Sequence, residues 1–155
     1  MAEKLYLEDL YVGQSVKSRV LTIEAEEIVA FARAYDPQYF HTDPEAARKS
    51  LFGGHVASGW HTAALTMRLL VESVPIAGGL IGVKVELAWP RPVRPGDELR
   101  LESVIESVSP PRAGSDRGAA TCRCTTLNQR DEPVQIMTAK LAVRARPADE
   151  GGGPA

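Results

Sequence analysis

Residues 59–72 form a run in which Arg68 and Glu72 alone carry charge, and this stretch constrains the fold more than any other. Trp60, Ala63, Ala64, Met67, Leu70 and Val71 recur at helical spacing on one stripe, and Leu65 and Leu69 widen it, so the helix is expected to be buried. Ser58 is placed to cap the first turn, and Pro75, which has no amide donor, to stop the helix. The start is glycine-rich, with Gly53, Gly54 and Gly59, so the free first-turn amides can receive an oxygen carrying negative charge. A helix apolar over so much of its surface needs a layer to cover it.

The second half of the chain supplies that layer. Ile81, Val83, Val85, Leu87 and Trp89 alternate with Gly82, Lys84, Glu86 and Ala88 until Pro90 breaks the pattern, which predicts a strand. Residues 99–108, 119–127 and 134–143 predict three more, separated by Pro110-Pro111-Arg112-Ala113-Gly114 and by Asn128-Gln129-Arg130-Asp131. Connections this short exclude crossovers, so the strands are antiparallel. Ahead of the helix, residues 15–21 predict a first strand and residues 22–35 a helix with an acidic start. Residues 36–42 predict a loop, and Asp43-Pro44-Glu45 the start of another short helix. The reading is an α+β fold: an antiparallel sheet of about five strands wrapped around one long central helix, in a single domain over residues 1–146. Residues 147–155 are glycine, proline and acid and are expected to be disordered. Open sheet edges in a small domain are often closed by a second copy, so a homodimer is expected.

A net charge of −2 gives no electrostatic basis for wrapping nucleic acid. No basic start leads into an apolar run, and no stretch is apolar enough to span a bilayer, so the expectation is a cytoplasmic protein with no membrane partner. Cys122 and Cys124, two apart on a predicted strand, read as small packed thiols rather than a metal or redox pair. His41, His55 and His61 are not joined by ligand-spaced carboxylates or cysteines, so no metal is expected.

The chemistry-bearing residues cluster before the helix. In Asp36-Pro37-Gln38-Tyr39-Phe40-His41 a rigid turn separates an acid from an imidazole, and the two side chains can flank one water as base and acid. The plainer alternative is that Asp36 caps the turn and His41 packs against the next helix. Ser58 reads as a cap rather than a nucleophile, since no strand-turn-helix elbow surrounds it.

Asp36-Pro37-Gln38-Tyr39-Phe40-His41-Thr42-Asp43-Pro44, followed by Phe52-Gly53-Gly54 and Ala57-Ser58-Gly59-Trp60, resembles the MaoC-like dehydratase family, which includes the (R)-specific enoyl-CoA hydratases. The resemblance implies a hot-dog fold, a dimer, and reversible addition of water to a trans-2-enoyl thioester carried on CoA or acyl carrier protein, without a cofactor. It places Asp36 and His41 on the catalytic pair and Gly59 on the helix-start glycine whose amide holds the thioester carbonyl. Tyr39 departs from the usual proline and is expected to narrow the acyl pocket; Met67 stands where some hydratases have a serine. A hot-dog thioesterase and a non-catalytic acyl-thioester-binding or assembly subunit are the alternatives. Whether Asp36 and His41 face one shared pocket separates the last of these from a hydratase.

Overall fold

The computed structural model describes residues 2–148. In chain order it has strands β1 (Ser15–Lys17) and β2 (Leu21–Thr22), helices α1 (Ala25–Tyr35), α2 (Tyr39–Thr42), α3 (Pro44–Ala47) and α4 (Gly59–Ser73), then strands β3 (Ile81–Ala88), β4 (Glu98–Ser109), β5 (Arg117–Leu127) and β6 (Pro133–Arg144). All strand pairs are antiparallel, in the order β1-β4-β5-β6-β3, with β2 also on β4. Of the tail expected over residues 147–155, residues 149–155 lie outside the described residues.

The four late strands and α4 fall where periodicity puts them, and three earlier expectations are corrected. The first strand is split, because Ser18 Oγ accepts the Leu101 amide at 2.8 Å, so a side chain takes the place of a ladder carbonyl. α1 starts at Ala25 rather than Thr22: Leu21 and Thr22 pair with Leu99 and Glu98, and the Ile23 amide donates to Asp97, which keeps this stretch extended. The expected loop over 36–42 contains a helical turn, α2, closed by hydrogen bonds that the His41 and Thr42 amides donate to the Gln38 carbonyl.

The largest correction concerns the buried face of α4. Its buried residues are His61, Thr62, Thr66, Leu69 and Leu70, whereas Trp60, Met67 and Val71 of the predicted stripe are 59%, 40% and 51% exposed. With apolar residues nearly all round, spacing cannot choose a side. Two threonines of α4 can face inward because Thr66 Oγ1 hydrogen-bonds Thr126 Oγ1 of β5 at 2.6 Å and Thr62 Oγ1 donates to the Ser58 carbonyl at 3.5 Å. Leu69 and Leu70 pack with Leu101, Ile105, Met137 and Leu141 of the sheet, and burying each such side chain contributes about 1.5–3 kcal/mol. Beside this core a smaller cluster of Ile23, Ile28, Ala57, Val93, Leu99 and Val134 fastens the chain ahead of α4 to the start of β4 and β6.

Candidate active site

Asp36 occupies the C-terminal cap of α1, where the following Pro37 forces the chain out of the helix and releases the side chain toward the start of α4. Its Oδ1 accepts from Gln38 Nε2 at 2.6 Å and its Oδ2 from Ser58 Oγ at 2.7 Å. His41 is buried on α2, and its Nε2 lies 3.2 Å from Asp36 Oδ2. Its Nδ1 lies 2.8 Å from the Val56 carbonyl. A carbonyl can only accept, so Nδ1 carries a hydrogen and Nε2 is the nitrogen that gains or loses a proton toward Asp36. The His41 carbonyl is held in turn by His55 Nε2 at 2.6 Å, and the Val56 amide donates to the Phe40 carbonyl at 3.2 Å.

Burial by itself would raise the Asp36 carboxyl. The hydrogen bonds from Ser58 and Gln38, with the adjacent His41, outweigh it and hold the group below its ordinary value. The site therefore keeps a carboxylate ionised beside an imidazole. Both groups open onto one cavity of about 440 Å³, whose walls include Phe40, Phe52, Val56, Trp60, Trp89 and Val93. Such a cavity, mostly apolar with Asp36, His41, Thr62 and Arg91 as its polar lining, suits a substrate with an apolar body and a reactive polar centre.

Gly59 also lines this cavity, so all three residues expected from the sequence are brought together. As the first residue of α4 it has no intrahelical acceptor for its amide, and Ser58 Oγ caps the Trp60 amide instead, at 3.2 Å. The glycine has a second reason to be there: a β carbon would lie 2.7 Å from Cε2 of Trp89, whose ring covers it. Trp89 is fixed by its Nε1, which donates at 2.9 Å to Oε1 of the fully buried Gln135.

The other candidates separate from the site. His61 stacks on Phe31 with ring centroids 4.6 Å apart, and burial pushes its pKa down. His55 binds the backbone carbonyl of His41, whereas His61 has Phe31 as its ring neighbour. Cys122 and Cys124 lie in the core with sulfurs 3.5 Å apart. Tyr39 is half exposed and packs on Phe40 outside the cavity wall, so the narrowing expected of it falls to Phe40 and Phe52.

Sequence reasoning assigned Ser58 a cap and missed its donation to Asp36, and it gave Gln38 no task. The signal was the hydroxyl directly before Gly59, but only the fold shows that Asp36 comes within its reach. Ser58→Ala is expected to lower turnover at neutral pH about tenfold, since a hydrogen bond to a charged group contributes roughly 1.5–3 kcal/mol. Losing this donor raises the Asp36 carboxyl, so the acidic limb of the pH–rate profile should move to higher pH. An unmoved limb would show that Ser58 acts only as a cap.

The family described as MaoC like domain matches residues 9–126. A crystal structure of a MaoC-like dehydratase from Rhodospirillum rubrum is 56% identical and superposes with a TM-score of 0.89, covering 92% of this chain and 99% of that one. The chain is 34% identical over 118 residues to 3-hydroxyacyl-thioester dehydratase Z of Mycobacterium tuberculosis, covering 74% of this chain and 72% of that protein. It is 31% identical over 139 residues to the uncharacterized protein YdeM of Bacillus subtilis, covering 88% and 96%.

Proposed function

Since the chain belongs to the MaoC-like family and has its hot-dog fold, we propose that it is a hydro-lyase adding water reversibly to a trans-2-enoyl thioester, with Asp36 and His41 as the proton-transfer pair. The observation that carries this reading is that both side chains, 3.2 Å apart, line the same apolar cavity. A subunit that only bound acyl thioesters would have no use for a carboxylate kept ionised there by two donors.

In the hydration direction a water seated at the pair gives a proton to Asp36, and its oxygen bonds to the β carbon of the enoyl group. The electron pair moves toward the thioester carbonyl, and Nε2–H of protonated His41 delivers a proton to the α carbon. Asp36 is then protonated and His41 neutral, and transfer across the Oδ2–Nε2 contact restores the starting state. Charge developing on the carbonyl oxygen is received by the Gly59 amide, a donor that needs no reorganisation. Dehydration runs the same steps backward.

The test is hydration of enoyl-CoAs and enoyl-acyl carrier proteins of graded length and branching, followed by loss of the conjugated thioester absorbance. Turnover of a subset defines the substrate. Folded protein that hydrates none of them on either carrier overturns the reading.

The active unit in this reading is a homodimer. Leu87 of β3 packs on the core and Val85, two residues before it, faces the same way, yet Val85 is 48% exposed, and Val83, at the bulge between Gly82 and Lys84, is 62% exposed. Among the described residues β3 pairs with β6 alone, and the exposed Trp60, Met67 and Val71 of α4 add further uncovered apolar surface. A second copy adding its own β3 covers both. Val83→Asp should convert a dimer to a monomer in sedimentation experiments. A wild-type monomer, or a variant that sediments as a dimer, would refute this assembly.

A further inference from the structure

On the face of the sheet opposite α4, under the loop between β4 and β5, lies a groove of about 420 Å³ whose lining includes Arg112, Ser115, Arg117, Ala119 and Lys140. Strand alternation fixes the face, since Ala120, Ala139 and Leu141 point into the core and Ala119 and Lys140 point away. The groove is remote from the dyad. Val134, at the start of β6, packs with Ala57 and Val93 of the cavity wall, and Lys140 is roughly 20 Å further along the strand at about 3.3 Å per residue.

The charge here is uncompensated. Most other cations of the chain are paired, including the neighbouring Arg144 with Asp116 and Lys84 with Glu86. Among the described residues no carboxylate lies within ion-pair distance of Arg112, Arg117 or Lys140, and none lines the groove. Arg117 Nη1 is buried without a hydrogen-bond partner. A guanidinium held in this way lacks an acceptor the protein does not supply. The loop is also set in advance: Ser115 Oγ accepts the Arg117 amide at 3.1 Å and donates to the Arg117 carbonyl at 3.2 Å, while the Ser115 amide donates to the Arg112 carbonyl.

We propose that this groove binds a phosphorylated small molecule, its phosphoryl groups taken by Arg112, Arg117 and Lys140. Guanidinium forks and an ammonium are suited to phosphoryl oxygens, and Ala119 leaves floor space for the body of the ligand. The volume falls in the range of small-molecule sites, whereas three cations on a chain of net charge −2 are too few to follow a nucleic-acid backbone. The site is independent of the thioester reaction and is tested by binding alone.

Titration calorimetry of the full chain with adenosine 3′,5′-bisphosphate, inorganic phosphate and adenosine, at low and high salt, provides the test. Saturable bisphosphate binding that weakens with salt is expected, with inorganic phosphate competing and adenosine not binding. Arg112→Gln with Lys140→Gln, both at exposed positions, should weaken binding about tenfold or more, and Lys140→Arg should retain it. Absence of saturable bisphosphate binding, equal binding of adenosine, or unchanged affinity in the double variant would overturn the site.

Discussion

Asp36→Asn and His41→Ala are each expected to lower hydration turnover by at least about a hundredfold, and the double variant to cost little more than either alone. The non-additivity follows from geometry. Water activation, protonation of the α carbon and the resetting transfer all use the single contact between Asp36 Oδ2 and His41 Nε2, so either loss disables the same cycle. Asp36→Asn keeps an oxygen that can accept from Ser58 or Gln38, so its stability should change little. His41→Ala removes the donor to the buried Val56 carbonyl, so its turnover must be expressed per folded active site. Near-normal activity in either folded variant would remove the pair from the mechanism, and strict additivity would argue against a shared water.

Gly59→Val is expected to lose both stability and turnover. The new side chain has to expel the Trp89 ring, which would break the Trp89–Gln135 hydrogen bond. Gln135 Nε2 already has no partner, so displacing the indole would leave both polar ends of a fully buried amide unpaired. A loss of about 2–4 kcal/mol follows, equivalent to roughly 5–15 °C in the midpoint of thermal unfolding. Nothing in the sequence alone places Trp89 on Gly59, so this cost is visible only in the structure. A second background separates packing from the amide's part in catalysis. Trp89→Ala removes the collision, so Gly59→Ala combined with Trp89→Ala should be about as stable as Trp89→Ala alone. If the helix-start amide receives the carbonyl oxygen, the combined variant should still turn over about tenfold more slowly than Trp89→Ala. Equal turnover would leave Gly59 as a packing residue only.

The sequence by itself determined the elements whose signal is local. The alternation from Ile81 to Trp89, the three later strand patterns and the uncharged run after Gly59 each state their own period, and backbone geometry turns the period into a strand or helix. Asp36 and His41 were legible for the same reason, since only four residues of intervening chain hold them close in any compact turn. What only the tertiary structure decided is whatever depends on residues far apart in sequence. An apolar stripe around most of α4 is compatible with several orientations, and the Thr66–Thr126 bond across the core, with the leucines below it, selected one. β2 claimed Thr22 from α1 because the edge of β4 was there to pair with. Ser58 became the donor that holds Asp36, and Trp89 the lid over Gly59, through contacts spanning 22 and 30 positions of sequence. Side-chain hydrogen bonds and steric contacts of this range reach only a few ångströms and have no periodicity along the chain, so they exist only once packing has brought the partners together.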